Sequence, residues 1–377
     1  MDKAAAGKLV NLARLENRMD AAGLDAIVAR TGINFTYLAG FAYPGTLARH
    51  LDLADSPRGV YVIWPRHGEP AIVTNSIAAG LPERDSWIDK IEVYAGYSEP
   101  PIERVAAVLA GMGLADGKVG FEQNFISAAD WQHLSKALPK MSMLDCTAVM
   151  EDVRAVKTPG EIAMLRAGAD LLDRAYLKHF PSARPGMKER ELHAALVGEC
   201  LATGCHFVHG ILNSSRNTVS YGGESDFTFA AGDAIRTDYV AYLNGYPGHQ
   251  SRCAVVGTPS AEQRREYHTI RDIYRACLDE CRPGRTAGEV YDGVVGHFAA
   301  KGLRYHHMLA GHSVGCWWHQ QEPVIARGSP RRLEAGMVIA MEPHIDHWHI
   351  QDMILVRPEG YELLSPLFNT DEIFACG

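Results

Sequence analysis

Residues 232–257 read GDAIRTDYVAYLNGYPGHQSRCAVVG, and this stretch decides the fold. It consists of two strand-like runs joined by Asn244 and Gly245. An Asn-Gly pair between such runs is a strong signal for a tight β-hairpin. Asp238 lies on the first run and His249 on the second, so the hairpin would bring a carboxylate and an imidazole together. Such a pair can form part of a metal site or an acid/base site.

Three later segments carry the same kinds of side chain. They are GHSVG (311–315) with His312, MEPHIDH (341–347) with Glu342, and IQDMILV (350–356) with Gln351. In this order the motifs resemble those of the creatinase/aminopeptidase P family, which has the pita-bread fold. Further similarity extends over nearly the whole chain, in LDAIVARTGINFTYLAGF (24–41), KTPGEIAMLRAGADLLDRA (157–175) and RPGRTAGEVYDGV (282–294).

The resemblance implies an α/β protein of two domains. Residues 1–150 would form a smaller creatinase-like N-terminal domain, in which strand and helix patterns alternate as in a mixed α/β layer. Residues 151–377 would form the α+β pita-bread catalytic domain. Helical patterns in this second part cover 160–180, 187–204, 261–281 and 286–301, with antiparallel strand pairs between them.

Composition excludes several classes of partner. The net charge of the 377 residues is −8, and lysine and arginine form no long run, which argues against nucleic acid. No apolar run reaches membrane-spanning length, and the N-terminus lacks the pattern of a signal peptide, so we expect no membrane association and a cytoplasmic protein. None of the eight cysteines forms a CxxC pair, and we expect reduced, buried thiols, including Cys316.

The resemblance also implies a set of metal ligands. In the family, two Asp, one His and two Glu hold two metal ions. The matching positions here are Asp238, His249, His312, Glu342 and Gln351. Two of the five have therefore lost a negative charge, and neutral imidazole and amide groups seldom bridge two cations. This substitution disfavours a dinuclear centre.

Two interpretations of the site remain. In the first, His249, His312 and Glu342 hold one divalent ion (Zn, Mn or Fe), and Asp238 or Gln351 assists. In the second, no metal binds and protein acid/base groups act alone, as in creatinase. His249 could also be a hydrogen-bonded core histidine with neither role.

Further residues are candidates for catalysis or substrate binding. His319, seven residues after His312, is the best acid/base candidate because histidine titrates near neutrality. Tyr221 lies near the position where the family has a loop histidine, and a packing role is its alternative. Strand alternation would place His347 with His349 and Gln351 on one face, with Trp318 as a pocket wall, although a solvent-facing turn and core packing are the simpler explanations.

The resemblance implies a homodimer in which the 41–59 loop of one subunit reaches the site of the other. Arg49 and Arg58 could then bind a substrate carboxylate, or they could be solvated surface residues.

We therefore expect a hydrolase that cleaves a C–N bond of a small polar metabolite, of amide, amidine or guanidino type, and that is not an ordinary peptidase. The alternatives are an Xaa-Pro dipeptidase or aminopeptidase, a lyase or other enzyme acting on a specialised metabolite, and a catalytically inactive binding protein. The retained Asp238, His312, His319 and Glu342 favour an enzyme over the inactive protein.

Overall fold

The structure, a computed structural model, describes residues 9–43, 59–219 and 225–377. The chain divides into two compact units, the first up to Arg154 with residues 158–160, and the second with residues 155–157 and 161–377. The helices are α1 Leu12–Ala22, α2 Ile33–Ala39, α3 Gly80–Asp85, α4 Pro101–Gly111, α5 Ala128–Ala137, α6 Thr147–Ala155, α7 Pro159–His179, α8 Glu189–Ala202, α9 Ala261–Leu278 and α10 Ala287–Ala300. The strands are β1 Ala26–Arg30, β2 Tyr61–Pro65, β3 Ala71–Asn75, β4 Lys90–Tyr94, β5 Lys118–Phe121, β6 Ser142–Asp145, β7 Phe207–Ser214, β8 Ala234–Leu243, β9 Tyr246–Gln250, β10 Cys253–Val256, β11 Leu309–Ser313, β12 Gln321–Ala326, β13 Val338–Met341, β14 Asp352–Val356, β15 Tyr361–Leu363 and β16 Phe374–Cys376.

The first unit is built on one six-stranded sheet in the order β4-β3-β2-β1-β5-β6. Its strands are mixed in direction, since β1 pairs with β2 antiparallel and with β5 parallel. The apolar face of α4, with Val105 and Leu109, packs against Val28, Ile63 and Val73 of the sheet. The strand and helix alternation of the sequence is thus confirmed as a mixed α/β layer.

The second unit contains two five-stranded sheets. One has the order β16-β10-β8-β7 with β9 paired to β8, and the other has the order β12-β11-β13-β14-β15. In this second unit, the sheet that contains β7 to β10 is called the first sheet and the sheet that contains β11 to β15 the second. Helices α7 and α8 share a buried core with the first sheet. Helices α9 and α10 share a buried core that includes the second sheet. Each half therefore consists of two helices packed on a sheet whose strands are antiparallel, apart from the parallel pair β10 and β16. This is the pita-bread arrangement predicted from the sequence.

The predicted hairpin is formed by β8 and β9. Asn244 and Gly245 both have positive φ, 50° and 84°, as the tight turns that suit twisted strands require. Val240 pairs with His249 across the hairpin, and Ile211 of β7 pairs with Asp238 on the other side. The hairpin is thus the centre of a three-stranded segment that carries the first half of the site.

All eight cysteines are buried and free, in agreement with the expected thiols. Within the part of the chain that the structure describes, no helix has the length and apolar character needed to cross a membrane.

Candidate active site

Strand register determines which side chains of the first sheet share a face. On β8, Arg236, Asp238 and Val240 are alternate residues, and alternate residues of a strand point to the same side. His209 of β7 and His249 of β9 both pair with Val240, one on each side. Paired residues share a face, so two histidines, one carboxylate and one guanidinium lie on the same side of this sheet.

The second sheet contributes the other predicted residues. His312 of β11 pairs with Ala340 of β13, and Glu342 follows the end of β13 directly. Gln351 precedes β14 and is joined to Ser251 by two backbone hydrogen bonds of 3.2 and 3.3 Å. This link between the sheets brings their motif residues into one site.

Three histidines form the tightest group of potential ligands among the described residues. His249, His312 and His319 each offer one ring nitrogen within 4.8 Å of the others. The rings of His249 and His312 are stacked at 5.2 Å, and the ring of His319 lies edge-on to His249 at 4.6 Å. His319, which the sequence suggested as an acid/base group, is therefore placed as a third nitrogen donor.

Hydrogen bonds orient these rings. The Nδ1 of His312 donates to the carbonyl of Ser313 at 3.0 Å, which leaves its Nε2 with a free lone pair. The Nδ1 of His319 lies 3.2 Å from the hydroxyl of Tyr242. The Nε2 of His249 is 3.1 Å from Asp238 Oδ1, while its Nδ1 is buried with no hydrogen-bond partner among the described residues.

Burial disfavours the protonated form of two of these imidazoles. Desolvation, and after it the electrostatic interaction with the neighbouring His249, lowers the pKa of His312 to about 3 and that of His319 to about 2. Metal ions bind the neutral form of histidine, so this environment favours ligation at neutral pH. Three imidazole nitrogens match the number of protein ligands at a mononuclear catalytic zinc site.

Two carboxylates beside the histidines have opposite pKa shifts. Burial and the negative charge of Asp238 raise the pKa of Glu342 to about 8. Burial opposes ionisation of Asp238 as well, but the hydrogen bond with His249 holds the pKa of Asp238 well below its usual range. Glu342 Oε1 lies 3.6 Å from His312 Nε2. The site thus pairs an ionised carboxylate with a protonated one, a division seen where acid and base roles are separated.

The other predicted residues have mixed outcomes. Gln351 is fully buried, and its Oε1 accepts a hydrogen bond of 2.8 Å from Ser251 Oγ rather than facing the three histidines. Trp318 is 46 % exposed, and its ring centroid lies 4.7 Å from that of His319, so its role as a pocket wall stays a prediction. Tyr221, Arg49 and Arg58 lie outside the described residues.

The strand alternation predicted over 347–351 is wrong. Asp346 and His347 form a turn, Asp346 has a φ of 49°, and Ile345 pairs with Trp348. The indole of Trp348 packs edge-on against the ring of Tyr267, and the next strand begins only at Asp352. His347 lines a cavity with Asn213 and Arg236, while the Nε2 of His349 lies 3.9 Å from Glu342 Oε2.

Three site residues escaped the sequence analysis or were left ambiguous. His209 stands 5.3 Å from His319 between ring centroids, and His344 stacks on His349 at 4.1 Å. The third is Tyr242, the hydroxyl partner of His319. Strand alternation counted from Asp238 predicts that Tyr242 lies on the same face of β8. The register of β7, which places His209 beside this face, cannot be predicted from the sequence.

Comparison with protein families identifies the family of this chain. Residues 163–358, more than half of the chain, match the model of metallopeptidase family M24, and residues 11–156 match the creatinase/prolidase N-terminal domain. The chain belongs to metallopeptidase family M24. The creatinase/aminopeptidase P resemblance of the sequence is thereby confirmed.

The relatives described next match this chain over nearly their whole length. It is 28 % identical to the probable dipeptidase PepE of Mycobacterium tuberculosis, over 90 % of this chain and 89 % of that protein. It is 24 % identical to the Xaa-Pro dipeptidase of Lactobacillus delbrueckii subsp. lactis, over 89 % and 90 %. The solved Xaa-Pro dipeptidase from Bacillus anthracis has the same fold, with a TM-score of 0.80 and 23 % identity over 97 % and 98 % of the two chains.

Proposed function

We propose that this M24 protein is a metal-dependent hydrolase of Xaa-Pro dipeptides that uses one divalent ion. The observation that carries the proposal is the group of three histidines beside the carboxyl groups of Asp238 and Glu342. The names of the relatives support peptide hydrolysis rather than the non-peptide C–N hydrolysis that the altered ligand positions led us to expect.

His249, His312 and His319 would hold the ion, and zinc suits a set of three imidazole nitrogens. A bound divalent cation would polarise the scissile carbonyl and lower the pKa of water. Asp238 fixes the ring of His249 through its 3.1 Å hydrogen bond, as outer carboxylates do for metal-bound histidines.

Glu342 is the group suited to moving protons. Because its pKa is raised to about 8, its carboxyl can take a proton from water and return it near neutral pH. Either oxygen of Glu342 could pass that proton to the leaving nitrogen of the peptide bond. The Nε2 atoms of His312 and His349 lie 3.6 and 3.9 Å from the two oxygens of Glu342, so the carboxyl group stands next to the proposed ligands.

The test is hydrolysis of Ala-Pro and Met-Pro by chelator-treated protein that is reloaded with one equivalent of Zn, Mn or Fe. We expect activity to return with the metal. Glu342→Gln should lower kcat by about 10²–10⁴-fold, the usual contribution of a general acid/base group. Glu334→Gln is the matched control, since Glu334 is a partly exposed glutamate that pairs with Arg331.

A second candidate is metal-free hydrolysis of a guanidino acid, as in creatinase. The neutral residues at His249 and Gln351, two positions where the family has carboxylates, favour it. Cleavage of creatine that is insensitive to chelators, with no cleavage of either dipeptide, would support this candidate and reject the first.

A further inference from the structure

One positively charged side chain lies on the site face of the first sheet. Arg236 and Asp238 are alternate residues of β8, so their side chains point to the same side of the strand. Two residues of a strand span about 7 Å, which brings the guanidinium into the neighbourhood of the Asp238 carboxylate. Arg236 pairs with Asn213 of β7 and with Cys253 of β10. Because a strand flanks it on each side, this arginine is an inner residue of the sheet.

The guanidinium of Arg236 is not neutralised by a salt bridge. It lines a polar cavity of about 260 Å³ together with Asp346 and His347, yet it forms no ion pair with Asp346 or with another carboxylate of the described residues. Its Nε is buried and has no hydrogen-bond partner there. Since arginine stays protonated in proteins, a full positive charge is fixed on this face.

The charge of Arg236 acts on both carboxyl groups of the site. Burial raises the pKa of Glu342 and the charge of Asp238 adds to this effect, whereas the positive charge of Arg236 lowers that pKa. Burial opposes ionisation of Asp238 as well, but the hydrogen bond with His249 and, less strongly, the charge of Arg236 lower its pKa. Without a metal ion, the ionised Asp238 and Arg236 already balance each other in charge.

A divalent cation at the site meets the opposite effect. A fixed positive charge repels a divalent ion twice as strongly as a monovalent ion, and burial weakens the screening of this repulsion by water and salt. One divalent ion and Arg236 carry three positive charges, against two negative charges when Asp238 and Glu342 are both ionised. A second divalent ion would increase this excess of positive charge from one to three, so the charge balance opposes it.

We propose that Arg236 is a fixed cation of the site that lowers its affinity for divalent ions and so limits it to the one ion at the three histidines. This inference rests on the proposed single-ion site, and it adds a residue that determines how many ions the site accepts. An arginine with a purely structural role predicts the opposite sign. Its loss would loosen the histidine group and weaken zinc binding, whereas the loss of a repelling charge would strengthen zinc binding.

The test is the zinc dissociation constant of the metal-free protein, measured by competition with a chromophoric chelator. We expect Arg236→Met, which keeps an apolar stem but removes the charge, to bind zinc at least about tenfold more tightly than the wild type. Arg236→Lys keeps the charge and should bind zinc as the wild type does. Arg265→Met changes an exposed arginine of α9 and should also leave the dissociation constant unchanged.

Equal or weaker zinc binding by Arg236→Met, or two zinc equivalents in the wild type, would overturn this role. Thermal unfolding checks that each variant is folded, and Arg236→Gln, which is also uncharged, decides the matter if Arg236→Met is not folded. A wild type that binds zinc but does not cleave Ala-Pro would reject the proposed substrate and leave this measurement valid.

If the wild type binds no zinc, the proposed metal dependence is rejected. Zinc binding gained by Arg236→Met would in that case still support the role of Arg236, because removal of the charge would have permitted it. Absence of zinc from both proteins would overturn the role together with the metal dependence.

Discussion

At the level of single residues, His319 is where the structure departs most from the ligand set implied by the sequence. The sequence interpretation grouped His249 and His312 with the Glu342 carboxylate. In the structure the ring of His319 takes the third place, and the three imidazoles form one close group. We predict that His319→Ala weakens zinc binding by more than about 100-fold, since loss of even an outer partner of a ligand costs about 10–100-fold.

Competition with a chromophoric chelator would measure this change in zinc affinity, and His206→Ala, an exposed histidine of the same unit, is the control. Undiminished affinity in His319→Ala, with a large loss in Glu342→Gln, would instead restore the ligand set of His249, His312 and Glu342.

The buried histidines also predict how stability of the metal-free protein depends on pH. Burial lowers the pKa of His312 and of His344 to about 3, well below the ordinary 6.5. Between pH 6.5 and 3 these histidines are protonated in the unfolded chain but not in the folded protein. The stability that they contribute is therefore fully present above pH 6.5 and is lost as the pH falls towards 3. Each such histidine contributes up to about 1.4 kcal/mol per pH unit in this window.

Glu342 acts in the opposite sense, because its pKa of about 8 lies above the ordinary value of 4.5 and stability falls as pH rises between these values. We expect His344→Gln to flatten the loss of stability between pH 6.5 and 5, measured by urea unfolding after chelation. His306→Gln, at an exposed position, should keep the wild-type slope. An unchanged slope in His344→Gln would contradict the assignment.

At the level of elements, the position of the catalytic hairpin depends on a contact between two glycines. A Cβ on Gly248 of β9 would lie 2.1 Å from the backbone oxygen of Gly168 on α7. α7 and β9 could accommodate this added Cβ only by moving apart. Such a movement would also displace His249, the residue that follows Gly248. Gly248→Ala should therefore destabilise the protein by about 1–3 kcal/mol or more and weaken zinc binding.

Gly198→Ala is the matched control, because nothing lies within 4 Å of the Cβ it would add to α8. It should be neutral or stabilise by about 0.5–1 kcal/mol, as alanine does in a helix interior. Urea unfolding measures the stability of both variants. Equal stabilities would show that the Gly168–Gly248 contact does not fix the position of α7 against β9.

At the level of the whole catalytic unit, Arg252 joins segments that are distant in sequence. It is 1 % exposed and lies 2.8 Å from Asp173 of α7 and 2.7 Å from Asp352 of β14. Its Nη1 also donates to the carbonyl of Gln351 at 2.6 Å. This one side chain therefore connects the helices of the first half to the second sheet.

Arg252→Met should cost about 3–5 kcal/mol in free energy of unfolding, because it leaves two carboxylates buried and unpaired. Arg275→Met, which breaks an exposed pair with Asp371, should cost less than about 1 kcal/mol. Chemical denaturation measures the free energy of unfolding of both variants. A decrease below 1 kcal/mol for Arg252→Met would mean that Asp173 and Asp352 are neutral in the folded protein.

The sequence by itself determined the fold and the order of the site residues. Alternation and the Asn244-Gly245 turn are local, and they predict a hairpin that brings Asp238 and His249 to the same face, with His249 opposite Val240. Only the tertiary structure decided which side chains meet. His319 joins His249, Gln351 turns to Ser251, and Arg236 faces a polar cavity, because strand register and packing between distant segments set those distances. No local pattern encodes a register between strands that are remote in the chain, so the group of three histidines became visible only in three dimensions.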